Sequence, residues 1–85
     1  MKLKPDTIER LYYSIGEISL LLKVNASMVR FWEKELNLTF KYSKYGTRYF
    51  TAKDVELIKT IKHLRFERKF TMEGTKQELK TMGLL

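Results

Sequence analysis

The stretch Val24-Asn25-Ala26-Ser27-Met28-Val29-Arg30-Phe31-Trp32-Glu33-Lys34-Glu35-Leu36 decides the fold. Placed on a helical wheel at about 100° per residue, Ala26, Val29, Trp32 and Leu36 gather on one side, with Met28 at the edge. Ser27, Arg30 and Lys34 gather on the opposite side, and Phe31 sits beside them. One face is core, and the other is basic with an exposed aromatic. A helix that merely faces water mixes both charge signs, whereas Glu33 and Glu35 lie only at the margins of this basic face. That is the pattern of a recognition helix over residues 26–35, with Asn25 as its N-cap. Arg30 also admits a plainer reading, as a surface partner of Glu33, a kind of pair that contributes about 0–1 kcal/mol.

Toward the N-terminus, Ser14-Ile15-Gly16-Glu17 has capping-box spacing. The short helix it starts carries Ile15, Ile18, Leu21 and Leu22 at helical intervals and ends near Leu22 or Lys23. With only Lys23-Val24-Asn25 between them, the two helices form a helix-turn-helix, and Val24 points into their angle. Residues 1–12 read as a polar lead-in with a possible turn from Asp6 to Leu11. The globular domain therefore spans 13–85.

Toward the C-terminus the period changes. Leu38, Phe40 and Tyr42 alternate with Thr39 and Lys41, Ser43-Lys44-Tyr45-Gly46-Thr47 breaks the run, and Arg48-Tyr49-Phe50 follows. This is a short β-hairpin with a glycine-containing turn. Lys41, Lys44 and Arg48 lie on it with no acid among them. A lone hairpin is marginal, so it packs on the helices through Phe40 and Phe50. Thr51 caps a third helix, with Asp54 in its first turn; Val55, Leu57, Ile58, Ile61 and Leu64 form its buried stripe, and Lys59, Lys62, His63 and Arg65 face out. Thr71 caps a fourth helix from Met72 to about Met82, with Leu79 and Met82 as contacts and Gly83 as terminator. Gly74 within it is unfavourable by about 1 kcal/mol relative to Ala, and either permits close helix packing or is a tolerated defect. Helix, turn, helix, basic hairpin, helix, helix defines a mainly α fold of the winged helix-turn-helix type.

Composition narrows the function. Seventeen Lys and Arg against ten Asp and Glu leave +7 on 85 residues, a field that attracts polyanions such as nucleic acid. No cysteine is present and His63 is the lone histidine, so disulfides and thiolate metal sites are excluded and no metal or cofactor is called for. No Gly-rich phosphate loop or nucleophile–base set appears, and Glu56, Glu67, Glu73 and Glu78 have no paired spacing; the expectation is a protein that is not an enzyme. No stretch approaches the roughly 20 apolar residues that span a bilayer, and the first residues lack a signal peptide's apolar run. A cytoplasmic location and no membrane partner are expected.

Four motifs, in order, resemble the N-terminal DNA-binding domain of MerR-family transcription regulators over roughly residues 12–80. They are Tyr13-Ser14-Ile15-Gly16-Glu17-Ile18, Val24 to Glu33, Lys44-Tyr45-Gly46-Thr47-Arg48-Tyr49-Phe50-Thr51, and Asp54-Val55 with the later Phe70-Thr71-Met72-Glu73-Gly74. The resemblance implies a bacterial regulator that binds pseudo-palindromic promoter DNA as a dimer, with the second helix in the major groove and the wing on flanking backbone or minor groove. It also implies RNA polymerase as a partner for activators of the family. Carried over by position, Arg30 and Phe31 fall where the family touches DNA, Arg48 is the wing arginine, and Tyr45 is a further candidate. Ser27, Lys34, Lys41 and Lys44 join them from the reading of faces and charge, Lys as phosphate contacts and Ser as a phosphate or base contact. Phe31 stands where Tyr is frequent, so a hydroxyl bond to phosphate is missing; Ser27 and Met28 stand where Arg and Thr are common. The family's long dimerising helix and effector domain have no counterpart up to Leu85. The expectation is a homodimer for a full-length protein and a monomer for this stretch. Two rivals are an excisionase-like architectural factor that binds in tandem and a winged-helix module that grips an acidic protein.

Overall fold

The computed structural model describes residues 12–85; the turn expected between Asp6 and Leu11 lies outside the described residues. In chain order the elements are α1 (Ile15–Leu22), α2 (Ala26–Glu35), β1 (Lys41–Tyr42), β2 (Arg48–Tyr49), α3 (Ala52–Lys62), a π-helical turn (His63–Glu67) and α4 (Met72–Thr81). This is the expected mainly helical winged architecture.

Three helix starts follow from capping chemistry. At α1, Ser14 Oγ accepts from the Glu17 amide (3.1 Å) and Glu17 Oε1 accepts from the Ser14 amide (2.8 Å), a complete capping box. Thr51 and Asp54 repeat it at α3, so Asp54 acts through a hydrogen bond as well as through its charge. At α4, Thr71 Oγ1 accepts from the Gly74 amide at 2.9 Å. Asn25 holds the cap position of α2 but its side chain makes no cap bond; the Asn25 carbonyl accepts from Met28 and Val29 instead. Gly74 is explained locally: a Cβ there would lie 3.3 Å from Thr71 Oγ1 and 3.6 Å from the Phe70 ring, so the glycine fits the cap rather than a helix–helix crossing.

Helix ends are closed by left-handed residues. Lys23 (φ 56°), Asn37 (φ 55°) and Lys69 (φ 59°) are non-glycine residues in this region, and Gly83 (φ 79°) ends α4. After Asn37 and Gly83 the amides of Leu38 and Leu84 return to Glu33 and Leu79, and those of Asn37 and Gly83 to Lys34 and Lys80. This is the Schellman pattern, which satisfies the last helical carbonyls.

The core lies where α1, α2, α3 and α4 meet: Ile18, Val29, Trp32, Leu36, Ile58, Ile61, Leu64 and Leu79 are all at most 1% exposed. The wing is anchored as the sequence suggests, with the Phe40 and Phe50 rings buried and 4.8 Å apart. Tyr13 adds an antiparallel bridge to Phe50, and Tyr12, read as lead-in, packs edge-on against Tyr49 at 4.6 Å.

Several expectations need correction. Leu21, placed on the apolar stripe of α1, is 60% exposed, so the buried stripe is narrower than expected. Met82 is exposed: it is the C-cap residue of α4, and in the last turn Leu79 alone is buried. The alternation from Leu38 to Tyr42 is not one strand: Leu38 and Phe40 turn into the core directly after α2, and only Lys41 and Tyr42 pair. Lys62 and Arg65 do not simply face out. The Lys62 ammonium donates to the Leu22 carbonyl at the end of α1 (2.8 Å), and Arg65 donates to the Phe70 carbonyl. At Leu22 the Lys62 cation sits at a helix C-terminus, where it satisfies an orphan acceptor and the dipole together. The third helix also does not run on as an α-helix to Glu67, since the π turn intervenes.

Candidate nucleic-acid interface

Helix α2 is pinned by Val29, Trp32 and Leu36, and this fixes what its other side presents. Ser27, Arg30, Phe31 and Lys34 are all exposed on it, as the wheel requires. The plainer reading of Arg30 as a partner of Glu33 does not hold: Glu33 pairs with Arg48, and neither Arg30 nor Lys34 is in an ion pair among the described residues.

The wing follows at once. β1 and β2 pair with Lys41 opposite Tyr49 and Tyr42 opposite Arg48. Its turn is knotted by one side chain, Ser43, whose Oγ accepts from the amides of Tyr45 (3.1 Å) and Thr47 (3.2 Å). The Gly46 amide donates to the Ser43 carbonyl at 2.9 Å, and Gly46 takes φ 83°, which glycine alone adopts at no steric cost. Lys44 and Tyr45 stand at the tip. Tyr45 is 82% exposed, and the Lys44 ammonium lies 5.4 Å from its ring centroid. Lys41 is exposed on the strand.

Arg48 is placed differently from the other candidates. Its Nε and Nη2 both donate to Glu33 Oε1 at 2.8 Å, while the Tyr42 hydroxyl donates to Glu33 Oε2 at 3.1 Å. The guanidinium carbon lies 5.2 Å from the Tyr42 ring centroid. The side chains of Arg48 and Glu33 are 23% and 14% exposed. Seven candidates are thus exposed on one helix face and one hairpin, while Arg48 lies between the two. Glu33 and Tyr42 were missed by sequence reasoning. The available signal was Glu33 itself, an acid within a basic motif, which needs a reason to be there.

The arrangement offers a helix that carries cations and an aromatic away from the core, beside a hairpin with lysines and a tyrosine at its tip. Among the described residues there is no group of three or more His, Asp or Glu that could hold a metal ion, and no helix long and apolar enough to cross a membrane. A helix-turn-helix followed by such a hairpin is a winged helix-turn-helix. Residues 13–81 match the model of the MerR HTH family of regulatory proteins, and the chain belongs to that family. Among solved structures the fold matches HiNmlR, described as a MerR family regulator lacking the sensor domain, bound to promoter DNA, with a TM-score of 0.76 at 21% identity. The match covers 87% of this chain and 56% of that one, so the chain spans little more than half of its structural neighbour. No curated protein matches the sequence.

Proposed function

We propose that the chain binds double-stranded promoter DNA sequence-specifically and so regulates transcription, with α2 in the major groove and the wing on flanking backbone or minor groove. The observation that carries this reading is the division of α2. Val29, Trp32 and Leu36 are fully committed to the core, while Arg30 and Lys34 are exposed and pair with no acid among the described residues. Cations left unpaired beside one another on a rigid helix suit a polyanion that enters as a ligand.

In this reading Arg30 and Ser27 reach base edges or phosphate, Phe31 packs on the sugar–phosphate backbone, and Lys34 takes a phosphate. Lys41, Lys44 and Tyr45 meet the flanking backbone, and Arg48, engaged by Glu33, serves by holding the wing. Membership of the MerR HTH family and a fold shared with a regulator captured on promoter DNA support the reading. Two such domains related by a twofold axis would read half-sites one helical turn or a multiple apart.

The test is titration of a randomised duplex pool at several salt concentrations, with sequencing of the bound fraction. Steep salt dependence with an enriched inverted repeat supports the reading. Enriched direct repeats would favour an architectural factor of the excisionase kind, and no binding at low salt would leave an acidic protein as the partner to seek.

A further inference from the structure

An acid on a surface that attracts phosphate weakens binding to every duplex, so its place there calls for an offsetting role. Glu33 holds two groups at once. One carboxylate oxygen takes both Arg48 donors and the other takes the Tyr42 hydroxyl. Arg48 and Tyr42 are direct cross-strand partners, so the carboxylate grips both arms of the wing at the same level. Its own backbone sits next to Trp32, which is 1% exposed and fixes that part of α2 to the core. A hairpin with two-residue strands has little rigidity of its own. Its base is held by Tyr13, Phe40 and Phe50, and the Glu33 triad is the attachment nearer the tip. The forked guanidinium geometry fixes direction as well as distance.

We propose that Glu33 is a positioning residue that sets sequence discrimination, by locking the wing to the recognition helix and by keeping Arg48 from phosphate. This rests on the DNA-reading function proposed above and extends it: the acid gives up affinity common to all duplexes for a geometry that favours one. Lys41, Lys44 and Tyr45 then arrive in a fixed relation to the base-reading face, and a duplex that places its phosphates otherwise loses them.

The experiment compares wild type with Glu33→Gln on the best duplex from the random pool and on a scrambled duplex of equal length, across a salt series. Glu33→Gln removes the charge but keeps the shape. The scrambled duplex should bind as well or better, with the slope of log K against log salt steeper by about 0.9 as Arg48 is released to a phosphate. Discrimination between the two duplexes should fall by about tenfold, the size of one lost close coupling. Arg48→Lys keeps a cation but not the forked grip, and should lose discrimination likewise. An unchanged ratio in both variants would overturn the proposal. So would a parallel loss on both duplexes together with a lower melting temperature, which marks a merely structural pair. A wild type that treats all duplexes alike overturns the DNA-reading function itself, and this is seen before any variant is compared.

Discussion

At the scale of single residues, the proposed function divides the interface into groups that would read sequence and groups that would only hold. Arg30→Ala should reduce discrimination at one base pair by about 1–3 kcal/mol if the guanidinium meets a base edge. Lys44→Ala should weaken all duplexes nearly equally and make the salt slope shallower by about 0.9. Equilibrium binding on single-base variants of the preferred site separates the two. Phe31→Tyr restores the hydroxyl that this position lacks. Tighter binding by about 0.5–1.5 kcal/mol on every duplex is expected from the added bond to phosphate, and unchanged affinity would place the ring away from the backbone. The exposure of Arg30, Phe31 and Lys34 was legible in the sequence, because helical periodicity is a local property. The grip of Glu33 on Arg48 was not: it depends on hairpin register across fifteen residues. The same holds for Lys62 and Arg65, whose partners are backbone carbonyls that carry no signature in the sequence.

At the scale of elements, the starts of α1, α3 and α4 were readable from Ser14, Thr51 and Thr71, since a cap and the amide that donates to it lie three residues apart. Their ends were less so. Lys23 and Lys69 occupy left-handed backbone with φ 56° and 59°, where a β-carbon costs roughly 1–2 kcal/mol. Replacing either with glycine removes that strain but enlarges the unfolded ensemble. The net expectation is a gain of about 0.5–1 kcal/mol, a rise of several degrees in the melting temperature of a domain this size. Asn37→Gly should gain less, since Asn tolerates this region. Thermal melts of the three variants check the order. The π turn at His63–Glu67 was invisible for a different reason: Ile58, Ile61 and Leu64 keep α-helical spacing up to it. The short wing strands were hidden because Leu38 and Phe40 alternate like strand residues while serving the core.

At the scale of the whole molecule, a net charge of +7 works on folding and on binding in opposite directions. Arg30, Lys34, Lys41 and Lys44 are exposed without acidic partners among the described residues, so the excess positive charge is self-repulsive in the free domain. Raising salt shortens the screening length to about 10 Å at 0.1 M. The melting temperature of the free protein should therefore rise with salt over the range in which DNA affinity falls. A melting temperature that fell with salt would mean that attractive pairs dominate its surface. Helix α2 carries a related consequence for engineering. Val29, Trp32 and Leu36 serve the core and Glu33 serves the wing, so positions 27, 30, 31 and 34 can be randomised together without disturbing either. On the proposed function, a library confined to those four sites should retarget the domain to new duplex sequences on an unaltered scaffold.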